Sequence, residues 1–145
     1  MTHKSSKVEA LAARFAGRRL DARYLGYFDL FNRQCFYEAH DVLEDLWLLD
    51  RNGPDGAFYK GLIQLAGAFV LLQKNRQRAA ERVLGLAEAN LRRYPSRHCA
   101  IELGPVLALV SQRRDELRGG NSGVNPLAAT VPPVLRWPDE SDPLA

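Results

Sequence analysis

His40 and Glu44 stand four residues apart in the run Phe36-Tyr37-Glu38-Ala39-His40-Asp41-Val42-Leu43-Glu44-Asp45-Leu46-Trp47. On a helix, that spacing stacks an imidazole and a carboxylate one turn apart. Such a pair can act as a general acid and base, or supply two ligands to a divalent ion. Counting about 100° per residue from Phe36, His40 falls near 40° and Glu44 near 80°. Phe36, Ala39, Val42, Leu43, Leu46, Trp47 and Leu49 form the core face on one side of them, and Tyr37 and Leu48 lie on the other. Glu38, Asp41 and Asp45 fall on a separate solvent stripe. A carboxylate among apolar groups needs a partner, because unpaired burial is costly. His40 is one partner, and each group favours the charged form of the other. Gln64 is a second, as the amide in a stripe of small residues, Ala57, Gly61 and Ala68, that ends at Asn75. The pattern predicts that Gln64 faces the His40/Glu44 pair across two neighbouring helices, with Trp47 and Tyr37 bordering this polar centre.

Three uses of the centre follow from its chemistry. It can be a satisfied polar network that sets helix register. It can be the wall of a pocket for a small molecule or a protein partner. It can be the site of a metal-dependent enzyme, hydrolase-like, with His40 and Glu44 as ligands. His98 and Glu102 repeat the same spacing with Cys99 beside them, and four such groups could ligate Zn or Mn. The chain has neither an H-E-x-x-H motif nor the paired E-x-x-H motifs of di-iron bundles. No Ser, Cys or Lys is tied to His40 by spacing, so no reaction class follows. Cys35 reads as a small helix-edge hydrophobe, and Trp47 as a core residue. A ligand-binding or interaction module is the leading reading, and the metal-dependent enzyme is its rival.

The elements that must hold these residues are helical. Tyr24, Leu25, Phe28 and Phe31 recur at helical intervals, giving a helix over 21–32 with Asp21 near its cap. Further helices are predicted over about 36–50, 57–74, 80–94 and 100–117, with a basic helical stretch over 8–19 before them. The 57–74 helix is apolar nearly all round and therefore central. Asn52-Gly53-Pro54-Asp55-Gly56 is the clearest turn. Five of the eight prolines fall after residue 120, behind the breaker cluster Gly119-Gly120-Asn121-Ser122-Gly123. Helix should therefore stop near Arg118. The expected architecture is all-α: an N-terminal basic extension at 1–20, a bundle of about five helices at 21–118, and an extended Pro-rich tail at 119–145. Val131, Val134, Leu135 and Trp137 are expected to bring that tail back onto the bundle.

Composition excludes several classes. In 145 residues, 46% are hydrophobic and 26% charged, ordinary globular usage. The longest uncharged apolar run, Gly61 to Gln73, is too short to span a membrane, and the start Met1-Thr2-His3-Lys4 lacks signal-peptide features. Two cysteines make no disulfide framework, and a cytoplasmic protein with free thiols is the expectation. The net charge of +3 hides blocks: an excess of four positive charges over 4–23, five negative over 29–55 and five positive over 74–97. Arg76, Arg78, Arg82, Arg92, Arg93 and Arg97 make nucleic-acid binding a second alternative, although no binding motif accompanies them. A second copy of the chain is a further candidate partner.

The runs Phe31-Asn32, Phe36 to Trp47 and Gly61-Leu62-Ile63-Gln64-Leu65-Ala66 resemble the signature of domain-of-unknown-function family 309, a family of small all-helical proteins. His40, Glu44, Trp47 and Gln64 sit at matching places, and the resemblance runs from about Asp29 to Leu91. Asp41 replaces the usual Glu, and Gln34-Cys35 stands where a Gly-containing turn is common. The resemblance implies a helical fold and no particular reaction.

Overall fold

The computed structural model describes residues 5–119, 125–129 and 131–141. Met1 to Lys4, Gly120 to Gly123 of the breaker cluster, and Pro143 lie outside them. The described residues form α1 (Ser5–Arg14), α2 (Ala22–Asn32), α3 (Phe36–Leu49), α4 (Gly56–Gln73), α5 (Gln77–Leu91), β1 (Arg97–His98), β2 (Ile101–Glu102), α6 (Leu103–Arg118) and the short α7 (Pro126–Ala129). The fold is an all-α bundle with one two-residue hairpin.

Helix α4 is central, as its all-round apolarity predicts. It packs against α3 on one side and α5 on the other, while α2 lies on α3 and α6 on α5. Aromatic side chains fill the space between α2, α3 and α4. The rings of Phe36 and Phe69 stack at 5.1 Å, and Phe31 meets both edge-on. Tyr27 is fully buried and donates its hydroxyl to the Leu62 carbonyl at 2.6 Å, so α2 also reaches the backbone of α4. Burial pushes the Tyr27 phenol well above its ordinary pKa, which keeps it a donor.

Two corners repeat one device. After α2, Gln34 takes φ +66°, its N–H bonds to the Phe31 carbonyl, and the Cys35 N–H bonds to Leu30. After α4, Asn75 takes φ +56°, with its N–H on Leu72 and that of Arg76 on Leu71. Both are Schellman closures with a left-handed residue just past the helix, the position glycine commonly fills. Gln34 adopts this conformation itself.

The last long helix begins later than its periodicity suggests. Cys99 and Ala100 have φ +45° and +66°, which closes β1 onto β2 in a tight two-residue turn. Helix α6 therefore starts at Leu103, and Pro105 falls in its first turn, where a missing N–H removes no helical hydrogen bond. No alternating pattern marks strands of two residues, so this hairpin has no sequence signature.

The C-terminal segment is anchored through its backbone. Asn32 bonds to both the carbonyl and the N–H of Leu135, and Arg113 donates to the Val131 carbonyl. Leu135 is buried, but Val131 and Val134 are 81% and 66% exposed. Trp137 meets Phe15 at 5.9 Å and donates its indole N–H to Glu140, which also binds Arg18.

Candidate functional site

The one-turn spacing on α3 brings three potential ligand groups together. His40, Asp41 and Glu44 each present a ligand atom, and these atoms lie within 4.8 Å of one another. His40 Nδ1 is 3.3 Å from Asp41 Oδ1, with the two side chains 30% and 21% exposed. Asp41 therefore sits beside the imidazole rather than on a freely solvated stripe. All three residues are half-buried, neither sealed in the core nor fully wetted.

In front of His40 lies an open groove of about 240 Å³, lined by residues of α3, α4 and α5. Ile63, Leu71, Val83 and Leu86 supply its apolar wall, and His40, Lys60 and Gln64 its polar wall. Gly67 faces α3 here, and a Cβ at that position would make ordinary contact with His40 Cδ2 at 3.6 Å. Gln64 shares the groove with His40, but its side-chain oxygen accepts from Asn90 Nδ2 of α5 at 2.8 Å. The small-residue stripe explains this. A Cβ at Gly61 would stand 2.7 Å from Leu91 and 3.3 Å from the Ala87 carbonyl, so the stripe meets α5, and Gly67 is the α4 residue facing His40. Glu44 does not line the groove. Among the described residues, Asn90 is the hydrogen-bond partner of Gln64.

The two aromatic residues expected at the border lie further out. Tyr37 is 60% exposed. Trp47 is half-buried, carries the Lys60 ammonium 4.4 Å from its ring centre, and lines a separate hollow with Arg51, Asn52 and Arg93.

His98 and Glu102 do not join His40 and Glu44. They fall on the two strands of the hairpin, where Glu102 pairs with Arg97 at 2.6 Å. His98 instead puts Nε2 2.7 Å from Asp55 Oδ1, and Cys99 completes a second group whose ligand atoms lie within 4.8 Å. Burial, then the nearby Asp55 carboxylate, pushes the Cys99 thiol up to about 12. Asp55 was legible only as a turn residue, and no spacing rule links it to a histidine 43 positions later. Lys60, which lines the groove, and Asn90, which holds Gln64, were missed for the same reason: their meeting depends on how the helices pack.

Part of the basic 74–97 segment is neutralised inside the fold. Arg114 of α6 reaches Glu88 at 2.6 Å and Glu81 at 3.1 Å, Arg92 pairs with Glu88, and Arg97 pairs with Glu102 and Asp139. The hydrogen bond from Arg92, followed by that from Arg114, lowers the pKa of Glu88 although partial burial opposes it. Arg76, Arg78, Arg82 and Arg118 surround a broad, shallow hollow with Glu81. Among the described residues, no helix is long and apolar enough to cross a membrane.

Residues 24–83 match the family model described as Domain of unknown function (DUF309). That segment of the chain is similar to the family. It spans α2, α3, α4 and the first half of α5, and so contains His40, Asp41, Glu44, Lys60, Gln64 and Gly67. Leu86, Asn90 and the hairpin with His98 and Cys99 lie beyond it. An "Uncharacterized protein" of Aquifex aeolicus (strain VF5) is 28% identical over 82 residues, which are 57% of this chain and 25% of that protein. The match thus spans about a quarter of the relative's length. No solved structure matches. The comparisons and the fold together describe a small helical domain with a central segment similar to the DUF309 model.

Proposed function

We propose that the domain is a binding module for a small amphiphilic molecule held in the groove between α3, α4 and α5. One observation carries this reading: an apolar wall from Ile63, Leu71, Val83 and Leu86 lines the same space as His40, Lys60 and Gln64. Asn90 occupies the side-chain oxygen of Gln64, which leaves the amide N–H donors for a ligand. With Lys60 also lining the groove and able to swing its ammonium there from the Trp47 ring, the polar end of the ligand is an acceptor, a carboxylate being the simplest. At about 240 Å³ the groove is below the usual range for drug-sized ligands, so the ligand is short. A cytoplasmic setting fits the two free thiols, Cys35 and Cys99.

Titrating the ¹⁵N-labelled protein with hexanoate tests the idea. Shifts centred on Gln64 and Gly67, lost in Gln64→Leu, support it. Absent shifts, or shifts elsewhere that persist in that variant, overturn it.

A second reading is favoured by the close approach of His40, Asp41 and Glu44. One nitrogen and two carboxylates suit a hard divalent ion such as Mn²⁺ and would serve a metal-dependent hydrolase. Paramagnetic broadening of His40 and Glu44 resonances by Mn²⁺, absent in Glu44→Gln, supports this version. Broadening spread over all surface carboxylates counts against it.

A further inference from the structure

The hairpin after α5 and the turn before α4 bring together three side chains of a different chemical character. Asp55 occupies the N-cap position of α4, yet its carboxylate makes no cap hydrogen bond. Tyr94 takes over that duty, accepting the Phe58 N–H at 3.0 Å and donating to the Pro54 carbonyl at 2.8 Å. Asp55 is thereby turned outward to His98. The His98 ring is set between Phe58 and Tyr94, with centroids at 4.9 and 4.6 Å, and its orientation is fixed by packing. Cys99 follows in a left-handed conformation that a β-carbon disfavours, and Tyr24 secures the turn by donating to the Cys99 carbonyl at 2.7 Å. Strain of this kind persists only where its surroundings hold it.

We infer that Asp55, His98 and Cys99 form a zinc-binding site, with the imidazole, thiolate and carboxylate as three ligands and a fourth position open to water. Nitrogen, sulfur and oxygen donors at one point are the set zinc accepts, and three protein ligands leave the site open as catalytic zinc sites do. The ligand atoms lie within 4.8 Å of one another. A tetrahedral ion asks for separations of about 3.3 Å between nitrogen and oxygen ligands, so His98 and Asp55, now 2.7 Å apart, need only a small outward adjustment. Without metal, the thiol is held protonated by burial and by its hydrogen bond to Asp55, which makes it a poor nucleophile at neutral pH. On binding, the S–H bond gives way to a Zn–S bond and the proton passes to the buffer.

Cobalt substitution of the full chain tests this directly. One equivalent of Co²⁺ should produce a sulfur-to-cobalt charge-transfer band that Zn²⁺ abolishes by displacement. Cys99→Ser should remove the band, and Asp55→Asn should keep it while weakening zinc at least about tenfold. No band, or a band that survives Cys99→Ser, overturns the site. If Cys99→Ser fails to fold by circular dichroism, Asp55→Asn decides alone, and an unchanged zinc affinity in that variant rejects the proposal.

Discussion

Two polar clusters, similar in size, are built in opposite ways. His40, Asp41 and Glu44 occupy little more than one turn of a single helix, and helix geometry alone places them side by side. Asp55 and His98 are 43 residues apart and meet because a helix start, an aromatic pair and a strained hairpin converge. The first cluster adds little to tertiary order, since α3 would carry it wherever it packed. The second ties the beginning of α4 to the chain after α5, so its loss should loosen the fold. Their donors differ too: two carboxylates and an imidazole on α3 favour harder ions, whereas the thiol of Cys99 favours softer ones.

His98→Ala is the strongest test of that contrast. It removes a ring packed on Phe58 and Tyr94 and deprives half-buried Asp55 of its partner, a loss of about 2 kcal/mol by urea denaturation. A neutral result would reduce the second cluster to a surface contact.

The two faces of α4 give the next test. Gly61→Ala should destabilise by about 1–3 kcal/mol, because the new Cβ meets buried Leu91 and the Ala87 carbonyl. Gly67→Ala should instead stabilise by about 0.5 kcal/mol, because its Cβ makes only ordinary contact with His40 and helix propensity improves. Equal effects would mean that the groove face is packed as tightly as the α5 face.

Alkaline titration separates the clusters by pH. The Cys99 thiol is raised in the fold from an ordinary value of 9.0 to about 12. Its contribution to stability is therefore complete below pH 9 and is lost as pH rises from there towards 12. Melting temperatures should fall across that window in the metal-free native chain and less steeply in metal-free Cys99→Ala. The smallest effect is expected for His40→Ala, within about 0.5 kcal/mol, since its ring is part-exposed and its Asp41 contact is local. A loss as large as that of His98→Ala would recast the α3 cluster as scaffold.

Particular residues show how far the chain could be read without coordinates. The 3.6-residue spacing of Tyr24, Leu25, Phe28 and Phe31 and the apolar girth of 57–74 marked α2 and the central α4 to within a residue or two. That His40 and Glu44 lie near one another was equally visible, because a one-turn relation needs no knowledge of packing, although the contact His40 makes is with Asp41. The facing of Gln64 was not. A wheel shows that Gly61 and Gln64 share a side of α4, but it holds no information on whether α3 or α5 covers that side. The close seat of Gly61 against Leu91 and Ala87 settles it in favour of α5.

By itself, then, the sequence determined that this chain would be a helical bundle with an acid and an imidazole stacked on its α3 helix, since both depend on periodicities within one element. Tertiary structure decided what those groups face, how Lys60 and Gln64 come to share a groove with His40, and that Asp55 would find His98 and Cys99. These are relations between elements, set by which surfaces bury best together, and no spacing along the chain encodes them.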